Sequence, residues 1–494
     1  MKKVVLFYPA VKFGGAVQPR TELPLSVLTV ATPLHQAGYH VVIVDQRIES
    51  NWRTRLTDEL RSGPVCLGVS AMTGPQIRFG LEASRLARDL GETPIVWGGI
   101  HPTLLPAQTL EDPSVDIVVQ GEGEETFLDL VRALEESEPL STVKGIWFKE
   151  EGAVRQTERR PFIDLNSQPP LAYHLLDMNK YRVQLFGRWH LTFETSRGCA
   201  FRCGYCYNTK VYNSTWRSLT PDETITRIKR LVSETGAKGI IFSDDNFFGN
   251  KDRALEILRR IKEEELDISL PKVDGHISVL AHLKDSELQM MRESGCRMVQ
   301  IGVESVAPRM QELLNKSFSV SDLAEFNRRL AKFDILPAYY FMVGYPTETI
   351  AEIAQTMSFF LRLPKENKNA VPRLNIYTPF PGTGMYEHCV ENGFRPPESL
   401  EGWVSLNYRT VGRRSPWITS ERRKILRMLD FTAMLASRNN FVNSYKQTGP
   451  LVKLVAALYY PIAQWRVEKL FHQFPIERKL AEYLGLYPKQ NAAE

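Results

Sequence analysis

No run of eighteen apolar residues occurs anywhere in this 494-residue chain, so a membrane-spanning helix is not expected. The N-terminus, Met1-Lys-Lys-Val-Val-Leu-Phe-Tyr-Pro9, is cut short by Pro9. That is too early for a signal peptide, and the stretch reads as a strand. Cysteine is scarce. Six residues in this length make no disulfide scaffold, and the cytosol is the expected compartment. Charge is not extreme: 24% charged and 43% hydrophobic residues describe an ordinary globular chain, long enough for two or three domains. The net charge of +5 is uneven, because fifteen Lys/Arg face six Asp/Glu from Arg409 onward. The tail is thus a basic module on a mildly acidic body. No RNA- or DNA-binding module accompanies its aromatic and basic residues, so nucleic acid is not an expected partner.

What cysteine there is, however, is concentrated. Three of the six stand in Cys199-Ala-Phe-Arg-Cys203-Gly-Tyr-Cys206, after Thr195-Ser-Arg-Gly198. Convergent thiolates on a short Gly-containing loop are a metal's requirement. Structural zinc and fully ligated iron–sulfur clusters usually take four protein ligands, so three leave one position open. An incidental pair, a zinc site short of one ligand, and plain core thiols are the competing readings.

The loop resembles the signature of the radical S-adenosylmethionine (SAM) superfamily. That resemblance implies a [4Fe–4S] cluster on Cys199, Cys203 and Cys206 whose open iron chelates SAM, with Tyr205 against the adenine. An exposed cluster of this kind needs a reducing, oxygen-poor setting and an electron donor such as flavodoxin or ferredoxin.

Residues 1–140 alternate strand and helix, the pattern of a doubly wound parallel sheet whose ligands sit at the carboxyl ends of the strands. Strands are expected at 4–8, 40–44, 65–69, 94–97 and 116–119. The strand ends read Ser70-Ala-Met-Thr73-Gly, Gly98-Gly99-Ile-His101-Pro-Thr103 and Gly121-Glu122-Gly123-Glu124. Any one of them could be ordinary turn chemistry. Together they resemble a flavodoxin-like cobalamin-binding domain, which implies cobalamin contacts from Ser70, Thr73, Gly98, Gly99, His101, Gly121, Glu122 and Gly123. Many such domains carry a cobalt-ligating His after the first strand. Here Pro9-Ala-Val-Lys-Phe-Gly14-Gly15 has none. His101 is the nearby alternative, but its turn suggests loop structure or ring contacts. A degenerate domain without corrinoid stays open.

Residues 141–188 read as a linker with a β-hairpin around Glu150-Glu-Gly152, then a proline-rich connector. Residues 189–400 again alternate strand and helix, which points to a partial (β/α) barrel with its chemistry on the loops after the strands. In the family order, Asp244 of Ser243-Asp-Asp-Asn246 stands where an acidic segment meets the SAM amino group. Glu304 of Gly302-Val-Glu-Ser305 stands near the ribose. Gly344 of Gly344-Tyr-Pro-Thr-Glu348 and Tyr377 of Tyr377-Thr-Pro-Phe-Pro-Gly-Thr383 complete the SAM side. Each acid alone could equally be a helix cap or a solvated pair. Cys66, Cys296 and Cys389 are scattered, which argues buried thiols and against a second cluster.

Residues 401–494 are expected to form a helical region. A cap on the barrel is the preferred role, and contact with a membrane surface or a greasy substrate is the alternative. An apolar stretch ends at Pro461, and a basic amphipathic one runs from 464 to 484. The combined resemblance implies a cobalamin-dependent radical SAM enzyme, foremost a C-methyltransferase. A ring-forming enzyme like the anaerobic magnesium-protoporphyrin monomethyl ester cyclase is the close alternative. A non-catalytic corrinoid or iron–sulfur sensor is the alternative of another class. The substrate is expected to be a small molecule, lipid or tetrapyrrole.

Overall fold

The computed structural model describes residues 2–11, 21–406, 415–437, 439 and 450–483. Residues 12–15 of the loop that lacks histidine, and residue 484, lie outside the described residues.

Five short apolar segments form the first sheet: β1 (Lys3–Tyr8), β2 (His40–Asp45), β3 (Leu67–Ser70), β4 (Ile95–Gly98) and β5 (Ile117–Val119). They run parallel in the order β2-β1-β3-β4-β5. Both faces are covered by helices, which is why these strands read as continuous apolar runs rather than alternating ones. The direction of winding reverses between β1 and β3, the point at which such sheets bind ligands. The hairpin β6 (Ile146–Glu150) and β7 (Ala153–Gln156) is present where the connector was expected. It pairs antiparallel with β5 and so extends the first sheet past residue 140. A helix at Trp52–Arg61, not evident in the sequence pattern, covers the sheet through Trp52, Leu56 and Leu60.

The second unit is an open barrel. β8 (Val183–Leu185) runs antiparallel to β9 (Arg188–Phe193) at one edge. A two-residue ribbon follows, β10 (Ser196–Arg197) on β11 (Arg217–Ser218). The parallel wall then proceeds in chain order through β9, β12 (Ile240–Phe242), β13 (Val273–Asp274), β14 (Met298–Glu304), β15 (Leu336–Val343) and β16 (Val371–Ile376). Isolated bridges from Ser269 to Gly239 and from Leu270 to Cys296 close the gap between β12 and β14. Pro271 has no N–H and interrupts this third strand, leaving β13 only two residues long.

Two features tie the units together. The segment 397–406 leaves the barrel and returns to the first sheet's helices. Trp403 Nε1 donates to Gln108 Oε1 at 2.6 Å, and Gln108 Nε2 donates to the Pro397 carbonyl at 2.9 Å. Arg85 pairs with Glu401 at 3.0 Å. The second feature is an ion cluster around Arg197, described below. The helix Ser420–Leu435 packs on β16 and on a helix at Pro450–Glu468, the expected cap. That last helix runs through Pro461 instead of ending there, forgoing one backbone hydrogen bond. Leu454, Leu458, Ile462 and Trp465 on it are exposed. Among the described residues no helix is long and apolar enough to cross a membrane.

Candidate active site

The cysteine loop follows β10, and the turn after β12 fastens it at three points. Asp244 is buried and accepts from the Thr195 N–H at 2.7 Å, from the Thr195 hydroxyl, and from Ser196 Oγ at 2.7 Å. Asp245 accepts from the Gly198 N–H at 3.0 Å. Asn246 Nδ2 donates to Cys199 Sγ at 3.6 Å. Burial raises both carboxyls above the ordinary range, and the donated hydrogen bonds oppose the rise. Asp244 is therefore engaged with the approach to the cysteines, on the wall of their cavity.

That cavity holds about 390 Å³ and is lined by Cys199, Cys203, Cys206, Tyr205, Asp244 and Glu304 among others. Burial raises all three thiols, Cys206 to about 12, so thiolates here call for a compensating cation. No trio of His, Cys, Asp or Glu side chains among the described residues is arranged to hold a single metal ion. A cube-shaped cluster makes no such demand, since each thiolate binds a different iron.

Across the cavity stands a triad of buried Glu304 and Lys316 with half-buried Tyr205, which the sequence reading did not complete. Tyr205 OH donates to Glu304 Oε1 at 2.9 Å, and Lys316 Nζ lies 3.1 Å from the same oxygen and 2.8 Å from the tyrosine hydroxyl. Glu304 adopts a left-handed φ of 60° at a register shift in β14. Gly302 makes the space: a Cβ there would fall 2.6 Å from Lys316 Nζ and 2.7 Å from Glu304 Oε1. His276 also lines the cavity, stacked on Phe201 of the cysteine loop with ring centroids 3.7 Å apart. The Ser278 N–H reaches its Nδ1, which puts the proton on Nε2, and that buried atom has no partner among the described residues. Tyr340 takes hydrogen bonds from Gln300 at 2.8 Å and Arg373 at 3.3 Å.

Gly344 and Tyr377 do not line this cavity. Gly344 has φ 96°, donates to Glu348 at 2.6 Å and accepts from Trp417 at 3.0 Å. Tyr377 stacks on Tyr345 at 4.7 Å.

A second cavity, of about 360 Å³, lies between the first sheet and the barrel. Ser70, Gly98, Gly99, Gly121, Glu122 and Gly123 line it from one side, and Thr192, Glu194, Arg197, Tyr212 and Ser243 from the other. Thr73 and His101 are not on its wall. Thr73 Oγ1 lies 3.0 Å from His101 Nδ1, and the ring is wholly buried, edge-on to Trp403 at 5.6 Å. Burial lowers this imidazole to about 3, so it is neutral and serves the loop and its ring contact.

The Radical SAM superfamily model matches residues 193–360, and the B12 binding domain model matches residues 12–131. Over 462 residues the chain is 31% identical to an uncharacterized methyltransferase of Pyrococcus horikoshii, across 92% of this chain and 94% of the relative. The chain belongs to the cobalamin-binding radical SAM enzymes. It is also 28% identical to an anaerobic magnesium-protoporphyrin IX monomethyl ester cyclase of Cereibacter sphaeroides, over 78% of this chain and 63% of that one. In fold, this radical SAM enzyme matches OxsB, a cobalamin-dependent SAM radical enzyme, with TM-score 0.75 at 17% identity, covering 99% of this chain and 76% of that chain. The methyltransferase TsrM of Kitasatospora setae gives 0.66 at 18%, covering 79% and 75%.

The residues present suit both groups of a cobalamin-binding radical SAM enzyme. Among the described residues no cysteine of the loop is in a disulfide. At Gly98 an added Cβ would meet only ordinary contacts with Val119, at 3.8 Å, so a larger side chain would project into the second cavity. Lys316, His276, Tyr340 and Arg197 were not singled out from sequence. Only Arg197, two places before Cys199, gave a local signal.

Proposed function

We propose that this enzyme is a cobalamin-dependent radical SAM C-methyltransferase acting on an unactivated carbon of a small molecule. One observation carries the reading. Adjacent residues after β12 line the two cavities, Ser243 the interdomain one and Asp244 that of the cysteines. A substrate carbon held beside this strand end would lie between the two cavities. When bound, the cluster supplies the electron that splits SAM into a hydrogen-abstracting 5′-deoxyadenosyl radical, and methylcobalamin supplies the methyl group.

The chain's own groups would bind, orient and shield. Cys199, Cys203 and Cys206 would hold the cluster, with Asp244, Asp245 and Asn246 fixing their loop. Tyr205, Glu304 and Lys316 would hold SAM, with Gly344 and Tyr377 behind them. Ser70, Gly98, Gly99, Gly121, Glu122 and Gly123 would face the corrinoid, with Thr73 and His101 shaping the turn beneath. The proposal includes a reducing cytosol and a flavodoxin- or ferredoxin-type electron donor. It also includes membrane-surface contact by the basic tail, supported by exposed Leu454, Leu458, Ile462 and Trp465. Lipids and tetrapyrroles are substrate candidates.

The test is anaerobic reconstitution with iron, sulfide and hydroxocobalamin, then assay of 5′-deoxyadenosine from SAM under reductant. Retained corrinoid, nucleoside release and a methylated product from lipid or porphyrin extracts are expected. A fully loaded cluster without nucleoside release, even with those extracts, would overturn it. The second reading, ring formation, is favoured by likeness to the cyclase and predicts a product without added methyl.

A further inference from the structure

An ion cluster with an unusual connection lies on the wall of the interdomain cavity. Arg197 is 11% exposed, and its guanidinium meets three carboxylates: Glu194 at 2.6 Å, Glu124 at 2.7 Å and Glu122 at 3.1 Å. Glu122 and Glu124 belong to the turn after β5, on the corrinoid side. Glu194 ends β9 of the barrel. Arg217 is Arg197's register partner on the β10–β11 ribbon, and it grips Glu122 with both terminal nitrogens at 2.7 and 3.0 Å. Two residues beyond Arg197 comes Cys199.

These contacts form one mechanical path. The turn carrying Gly121 and Gly123 is tied through two glutamates to a guanidinium, and that residue's backbone leads directly into the cysteine loop. Charge-assisted, two-pronged arginine contacts fix direction as well as distance, which a lysine's point charge does not. Three carboxylates against two guanidiniums leave one negative charge in excess. Burial pushes the Glu194 carboxyl up to about 7, so that excess is partly neutralised near physiological pH.

We propose that Arg197, with Glu122, Glu124 and Arg217, is a positioning device that registers the corrinoid cavity against the cysteine loop. It rests on the cofactor assignment above, but the device itself consists of this chain's residues alone. Its consequence is coupling. Loosening it should cost the two sites their fixed separation.

The test compares the full-length wild type with Glu122→Gln, which removes a charge, and Arg197→Lys, which keeps the charge but not the fork. Arg85→Gln, which breaks the distant pair with Glu401, is the control. Amide hydrogen exchange over residues 195–206 is read first, without cofactors. Glu122→Gln and Arg197→Lys should each speed it by about tenfold, as loss of a charge-assisted hydrogen bond implies, and Arg85→Gln should not. Pulsed EPR between cob(II)alamin and the reduced cluster should then show a broadened distance distribution in both variants, and 5′-deoxyadenosine should exceed methylated product. Unchanged exchange over 195–206 in both variants would overturn the proposal. So would an equal rise across the whole first sheet, since the cluster would then be simple domain adhesion. A wild type that takes no corrinoid refutes the cofactor assignment instead, and exchange still judges the device. If Glu122→Gln fails to fold, the milder Arg197→Lys carries the same comparison.

Discussion

Replacing Lys316 with methionine should unsettle the barrel more than replacing both members of its ion pair. Lys316 and Glu304 are each 7% exposed, 3.1 Å apart, and both are bound to the Tyr205 hydroxyl. Removing the lysine strands a buried carboxylate, a change that typically costs about 3–5 kcal/mol. Tyr205 still donates to that carboxylate, a charge-assisted bond of the kind worth about 1.5–3 kcal/mol, so the lower end, about 3 kcal/mol, is expected. For a unit of barrel size, each kcal/mol lowers the melting temperature by about 2–4 °C, so Lys316→Met should melt about 6–12 °C early. In the double variant with Glu304→Gln no charge is stranded, and its loss should be about 1 kcal/mol, or about 2–4 °C. Scanning calorimetry of the cofactor-free chain at one fixed scan rate measures all four proteins. A double variant as unstable as the sum of the singles would refute the reasoning, because the pair would then carry no coupling. SAM affinity, measured by equilibrium dialysis on the reconstituted enzyme, should fall in both single variants.

Three further outcomes follow from the same geometry. Burial pushes the Glu348 carboxyl up from 4.5 to about 7, so the folded state keeps a proton there that the unfolded chain has lost, and stability falls as pH rises between those values. Glu348→Gln should therefore gain on the wild type across that window, by up to about 1.4 kcal/mol per pH unit, and level off above it; a pH-independent difference in melting temperature would contradict this. Gly98→Val should fold and load its cluster normally but retain little corrinoid, seen as loss of the corrinoid bands after gel filtration; full retention would remove Gly98 from the site. Asp244→Asn replaces an acceptor of three hydrogen bonds, so iron and sulfide per chain should drop by half or more after anaerobic desalting, with Asp252→Asn on the surface as the unaffected control.

Much of this was readable from the amino-acid order because the informative signals are local. Three cysteines within eight residues need no tertiary contact to be noticed, and short apolar strands separated by amphipathic helices declare a parallel sheet. What escaped was built by approach in space. Lys316 follows Glu304 across a helix, and nothing in Leu-Asn-Lys marks it as the partner of a residue at the end of β14. Arg197 meets Glu122 from 75 positions away. β13 is too short for any periodicity to register, and Pro271 hides the rest of its strand. Asp244 lines the cysteine cavity, but its hydrogen bonds to Thr195 and Ser196 could not be foreseen, since a strand-end acid looks the same whether it faces a ligand or a neighbouring loop.

The return of segment 397–406 to the first sheet has a consequence for how the protein is made. Trp403 and Gln108 are separated by 295 residues, yet Trp403 closes over the helical turn that carries His101. At roughly 5–20 residues per second, the ribosome delivers that tryptophan about 15–60 s after Gln108 has been made. Through that interval the first domain stands with one flank bare. A nascent chain halted before residue 397 should thus be a better chaperone client than its completed first sheet would suggest.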